Sequence, residues 1–247
     1  MSVDGGARPR PHPAVDLGLV LLALGLVVFT AGVIIVPAAA PAIVNDRLDI
    51  AIITAVTLVS VAVAALNWAR GRVSGDGAAL LRGSAFAVLA VLNGLILLVQ
   101  LVGADAAFGA SLDAPGQLPL LAGVLGRGLS AALLIGAGIL ALRAPSVLRI
   151  SPILLIGPAA LLACLLVLGA QIQDRLPALV DASILQEMMR QPVSELPLGS
   201  APRLVVAQAL VGIGFVAAAV LAYRSWRSNR RLGQAFLAAG FMVAAFS

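Results

Sequence analysis

Apolar residues fall along this chain in runs of about twenty or more, and nearly all the charge sits in the stretches between them. The runs lack the apolar/polar alternation of a membrane-barrel strand. A helix needs about twenty residues to cross roughly 30 Å of hydrocarbon at 1.5 Å per residue, so the pattern predicts transmembrane helices. They fall at about 15–36, 50–68, 79–103, 118–142, 152–171 and 203–223, and a seventh begins near 234. The expected fold class is all-α: a polytopic transmembrane helical bundle of about seven helices over 15–247, preceded by a disordered, Pro-rich tail over 1–14.

The charged connections alternate in sign. Arg8 and Arg10 precede the first predicted helix, and Arg70, Arg72 and Arg82 are read as the connection between the second and third. Arg143 and Arg149 follow the fourth, and Arg224, Arg227, Arg230 and Arg231 follow the sixth. Against these eleven arginines stand only Asp4, Asp16 and Asp76. The other connections hold Arg47, Arg175, Arg190 and Arg203 against eight acids: Asp46, Asp49, Asp105, Asp113, Asp174, Asp181, Glu187 and Glu195. The positive-inside rule therefore predicts a cytoplasmic N-terminus in a bacterial cell membrane. A cleaved signal peptide fits less well, because the run from Leu17 to Val36 exceeds the 7–15 residues of such a segment and Pro41 follows the small-residue stretch.

Two further segments stand out. The outer connection, about 172–202, carries Leu176, Leu179, Val180, Ile184, Met188 and Met189 toward one side of a helix, with Asp181, Glu187 and Arg190 elsewhere. This predicts an amphipathic helix lying in the interface, started near Pro177 and ended near Pro192; a lid over an outward-facing ligand is the functional alternative. From Gln234 to Ser247 the seventh helix has only about fourteen residues, roughly 21 Å, too few to cross unaided. The simplest expectation is a fragment of a longer protein, with any cytoplasmic output domain following a further helix.

Composition agrees. Hydrophobic residues make up 61% and charged residues 11% of 247 positions, against roughly 45–50% and 25% in soluble domains, so a bilayer must serve as solvent. The net charge of +5 does not indicate nucleic acid, since the sixteen basic residues are all Arg and are spread between apolar runs. Lipid is the expected partner. Arg without Lys, beside abundant Ala and Gly, also suggests a GC-rich bacterial genome. Cys164 is the single cysteine and lies in an apolar run, which excludes an intrachain disulfide.

Arg127 is the most unusual residue, about ten positions into the fourth predicted helix within Gly126-Arg127-Gly128. Charge at that depth costs several kcal/mol on insertion scales, so it must face protein or water, or snorkel outward. Asn93 and Gln100 on the third predicted helix and Gln208 on the sixth are its candidate partners, and together they form the candidate sensing or ligand site. Small residues recur every four positions at Gly128, Ala132 and Gly136, and again at Gly214, Ala218 and Ala222. That spacing lets helix backbones approach closely, within one chain or across a homodimer. His12, the lone histidine, lies in the tail, and no metal-spaced Cys/His set, P-loop or Ser/His/Asp constellation is present. No cofactor, metal or catalytic residue is expected. The predicted spans also hold no mid-membrane carboxylate, which weighs against ion-coupled transport.

Four stretches carry a family likeness: Asn45-Asp46-Arg47-Leu48-Asp49, Ala79-Leu80-Leu81-Arg82-Gly83-Ser84-Ala85-Phe86, Leu112-Asp113-Ala114-Pro115-Gly116-Gln117 and Gly233-Gln234-Ala235-Phe236-Leu237-Ala238-Ala239-Gly240. Over about residues 14–247 the chain resembles the multi-pass N-terminal membrane region of actinobacterial and chloroflexal sensor histidine kinases. The resemblance implies an input domain whose stimulus shifts helix positions, with the dimerisation and ATP-binding parts outside this sequence. No residue here inherits kinase activity. A small multi-pass transporter or permease is the alternative expectation.

Overall fold

The computed structural model describes residues 21, 24, 25, 28, 46–102, 117–143, 157–164, 202–229 and 240. Among these residues all regular structure is helical. Four long helices dominate: α1 (Asp46–Ser74), α2 (Gly77–Val102), α3 (Gln117–Leu142) and α4 (Pro202–Asn229). Each is long and apolar enough to cross a bilayer, so the chain reads as a multi-pass membrane protein. They correspond to the second, third, fourth and sixth predicted spans. A shorter helical stretch, 157–164, falls within the fifth. The tail over 1–14 with His12, the segment 172–202 and most of the first and seventh spans lie outside the described residues.

The helices outrun their apolar windows. α1 begins at Asp46 and ends at Ser74, where apolar length alone suggests about 50–68. α4 runs on to Asn229 instead of stopping near 223. Apolar length measures contact with hydrocarbon, whereas the backbone ladder continues until a capping signal stops it. Arg70, Arg72, Arg224 and Arg227 therefore sit on the last turns of helices, not in loops, and the connection between α1 and α2 shrinks to Gly75 and Asp76.

That turn is specified residue by residue. Gly75 takes φ 68° just past α1, the left-handed conformation that ends helices and suits glycine. Asp76 then caps α2: its Oδ1 accepts from the Ala79 N–H at 3.1 Å, and its main-chain carbonyl accepts from the Leu80 N–H at 3.1 Å. The other carboxylate oxygen lies 3.7 Å from the Arg82 guanidinium, and Arg82 is buried. One aspartate thus starts the helix and balances a cation that would otherwise be costly to bury.

Packing follows chain order, α1 on α2, α2 on α3 and α3 on α4. Facing pairs give the directions. Trp68 lies against Gly83, and Thr57 lies near Gly94 at 3.9 Å, so α1 and α2 are antiparallel. Gly126 meets Leu92 while Gly136 meets Leu81, so α2 and α3 are antiparallel too. Gly128 meets Val211, Gly214 meets Ala131 and Gly138 meets Leu221, so α3 and α4 run parallel. The chain must therefore return the length of the bundle between them. The stretch 157–164 lies on that return, with Ala159 and Leu162 buried and Leu162 against Gly126.

Two apolar clusters result. One gathers Ala131, Leu134, Phe215, Ala218 and Ala222 along the α3/α4 seam with Ala85 of α2. The other joins Ala64, Val88, Leu92, Ala122 and Leu162. Phe86 and Leu133 pack against both, which makes α2 and α3 the centre of the array. Only 11% of the α1 apolar window is buried, against 44% for α2. Leu58, Leu66 and Val73 are accordingly exposed on α1, as lipid contact requires. Polar side chains within the spans return to the backbone: Thr54, Thr57 and Ser84 donate to the carbonyls of Ile50, Ile53 and Leu80, and the Asn67 amide donates to Val63. Ser130 instead donates across the seam to the Ala85 carbonyl at 3.2 Å.

Two predictions follow from these contacts. At Gly83 an added methyl collides with the Trp68 ring, whereas at Gly123 it meets nothing within 4 Å. Gly83→Ala should lower stability by about 1–3 kcal/mol and Gly123→Ala should leave it unchanged or slightly raised, read from thermal unfolding in detergent. At the turn, Asp76→Ala should cost about 1–2 kcal/mol for the cap alone and more for the lost ion pair with Arg82, while Asp76→Asn keeps an accepting Oδ1 and costs less. Equal losses in the same unfolding assay would show that the cap contributes nothing.

Candidate functional site

The register of the seams locates the residues singled out from the sequence. Arg127 stands one turn before Ala131 on the side of α3 that meets α4, since Ala131 faces Gly214. Gln208 stands three residues before Val211, whose side chain faces Gly128, and Gln208 is itself half-buried. Asn93 lies two turns beyond Phe86 on the same face of α2. Phe86 packs against the cluster at the α3/α4 seam, so that face of α2 looks toward the seam. Asn93, Arg127 and Gln208 therefore stand at about one level on α2, α3 and α4, with Arg127 on the middle helix of the three. Gln100 does not join them: it lies about two turns further along α2, roughly 10 Å away at helical rise.

A shared level is not pairing. No hydrogen bond or ion pair among the described residues joins Arg127 to Asn93 or Gln208. Helical Cα–Cβ bonds lean toward the N-terminus, so the Arg127 side chain leaves α3 toward the level of Gly123. There a methyl group would meet nothing within 4 Å. The surroundings combine one half-buried cation, two amides and open space one turn away.

The small-residue positions divide between seams. Gly214, Ala218 and Ala222 all lie on the α3/α4 contact, Ala218 and Ala222 fully buried. Gly128 faces Val211 of α4, but Gly136 faces Leu81 of α2, and Ala132 is exposed. A four-residue spacing drifts around a helix that turns every 3.6 residues, so one stripe cannot stay on a single partner. Ala131 and Gly138 complete the α4-facing side of α3 instead. Sequence reasoning missed both, although Gly138 is the most tightly covered glycine on that seam: a methyl there would lie 2.7 Å from Leu221 Cβ.

The opposite end of the array has a different character. Arg70, Arg72, Arg82, Arg143, Arg224 and Arg227 gather there by register, against the single described carboxylate of Asp76. Among the described residues the end nearer Arg127 holds Asp46, Arg47, Asp49 and Arg203, an even balance. Among the described residues no group of His, Cys, Asp and Glu is arranged to hold a metal ion. Cys164 is a free thiol exposed on the 157–164 stretch. No family model, curated protein or solved structure matches the chain.

Because removing the Arg127 charge strands no described partner, Arg127→Gln should fold and insert normally. Its thermal midpoint in detergent should stay within the equivalent of about 1 kcal/mol of the parent, far from the 3–5 kcal/mol that breaking a buried ion pair costs.

Proposed function

We propose that this chain is a membrane input domain of a signal-transduction protein, of the two-component sensor type, in the bacterial cytoplasmic membrane. Its arginine-rich end and N-terminus face the cytoplasm, since positive charge is retained on that side. Arg127, Asn93 and Gln208 then lie toward the outer leaflet. The observation that carries the reading is the parallel α3/α4 pair. α4 runs without a break from Gln208 to Arg224 and Arg227, so displacement at the polar level is transmitted along a continuous rod to the cytoplasmic end. The seam it slides on is built from small residues, Gly214 on Ala131 and Ala218 and Ala222 beside them, which allow alternative packings of similar energy.

Such a domain works by population shift: a stimulus acts only through its different affinity for two helix arrangements. The likeness to sensor histidine kinase membrane regions supports the same reading, and there the output parts receive the motion. A permease would instead bring a substrate across between the helices.

Locking the seam tests the mechanism. The constructed methyl carbon at Gly214 lies 3.1 Å from Ala131 Cβ, within a small shift of disulfide geometry, roughly 3.5–4.5 Å between Cβ atoms. In a Cys164→Ser background, Ala131→Cys with Gly214→Cys should cross-link on oxidation and freeze the host's transcriptional response to envelope stress, with recovery on reduction. An unchanged response in the fully cross-linked protein, with solute uptake blocked instead, would replace the sensor by the permease.

A further inference from the structure

We infer that the level of Arg127 binds one oxyanion, the phosphate or carboxylate of a small ligand or lipid headgroup. The inference deepens the proposed input role and rests on it for its consequence, since the anion would be what favours one helix arrangement over another.

The argument begins with a charge that no described residue compensates. Arg127 is half-buried within an apolar span, and the acidic positions on the described helices are 46, 49 and 76. Asp76 lies at the opposite end of the array. Asp49 stands opposite the last residues of α2, while Arg127 is level with the middle of that helix, about three turns away. By backbone level Asp46, Asp49 and Asp76 all stand about three turns or more from Arg127. Arg82 shows the contrast, for its burial is matched by Asp76 at 3.7 Å.

The chemistry at this level is donor-rich. A guanidinium offers five N–H donors in a planar fork, and the amides of Asn93 and Gln208 add N–H groups without negative charge. That set repels cations and suits two oxygens of a phosphate or carboxylate held side by side. Space exists for it, because nothing lies within 4 Å of a methyl at Gly123, one turn from Arg127 on the same face. Access exists as well: Arg127 is two turns from Leu120, where the apolar window of α3 opens, and its side chain leans that way. That lean shortens the path from the bilayer surface to the guanidinium.

The test uses the full chain in nanodiscs of phosphatidylcholine. Native mass spectrometry would read retention of phosphatidylglycerol doped into the disc, and thermal unfolding would read a shift with inorganic phosphate over chloride at equal ionic strength. Retention or a shift is expected with at least one probe, weakened about tenfold or more by Arg127→Gln and less by Asn93→Ala or Gln208→Ala. Phosphatidylglycerol alone would assign a lipid source and phosphate alone a soluble one. Binding of neither probe, or equal binding by Arg127→Gln and the parent, overturns the inference. Should Arg127→Gln not fold, the Asn93→Ala, Gln208→Ala double variant decides on the same criterion. Arg127-dependent binding with an unaltered stress response would remove the input role and keep the site. A response that needs Arg127 without binding of either probe would remove the site and keep the role.

Discussion

In hydrocarbon two helices gain nothing by hiding apolar side chains from each other, so this array is held together by how closely its backbones approach. Each seam has a tight approach at a glycine: Gly83 under Trp68, Gly126 against Leu92, Gly138 against Leu221. Large side chains do the complementary work of filling the space opposite. Phe215, Leu92 and Leu162 are among the largest fully buried residues, while most buried positions around them are alanine. Dispersion between such well-fitted surfaces replaces the hydrophobic drive of a water-soluble core.

The same solvent dictates how polarity is handled. A hydroxyl in a span has no water to turn to, so Thr54, Thr57 and Ser84 bond to the carbonyl one turn back, and Ser130 spends its donor on a neighbouring helix. Charge is treated in two ways. Arg82 is buried beside an aspartate that already serves as a helix cap, which fixes the end of the α1/α2 hairpin. Arg127 stands level with two amides and has open space one turn away, with no ion pair to another described residue. The capped hairpin turn lies at one end of α1 and α2, and the level of Arg127 near their middle.

Much of this was legible from residue order. Apolar run length located α1 to α4, because a crossing helix has no other way to satisfy its backbone, and the grouping of arginines at one end followed from their alternation along the chain. The ends of α1 and α4 were not legible from hydropathy, since Arg70, Arg72, Arg224 and Arg227 continue helices that have already left the apolar window. Ser74-Gly75-Asp76 did hold the stop and start signals of the first turn, and they outweigh hydropathy there. The shared level of Asn93, Gln208 and Arg127, and the separation of Gln100, depended on seam register. Register is set by which glycine receives which large side chain, and one chain read in order does not display that. The same limit applied to the four-residue stripe of α3, which proved to serve two neighbours and the exterior.

Parallel packing of α3 and α4 has an electrical consequence. Each helix carries a macrodipole equivalent to roughly half a charge at either end. In the antiparallel α1/α2 hairpin the two dipoles oppose and largely cancel. In α3 and α4 they add, with both positive poles at the end nearer Arg127 and both negative poles against Arg143, Arg224 and Arg227. Those arginines therefore neutralise the carbonyl ends of the pair, and sliding either helix along the membrane normal moves net polarity through the transmembrane field.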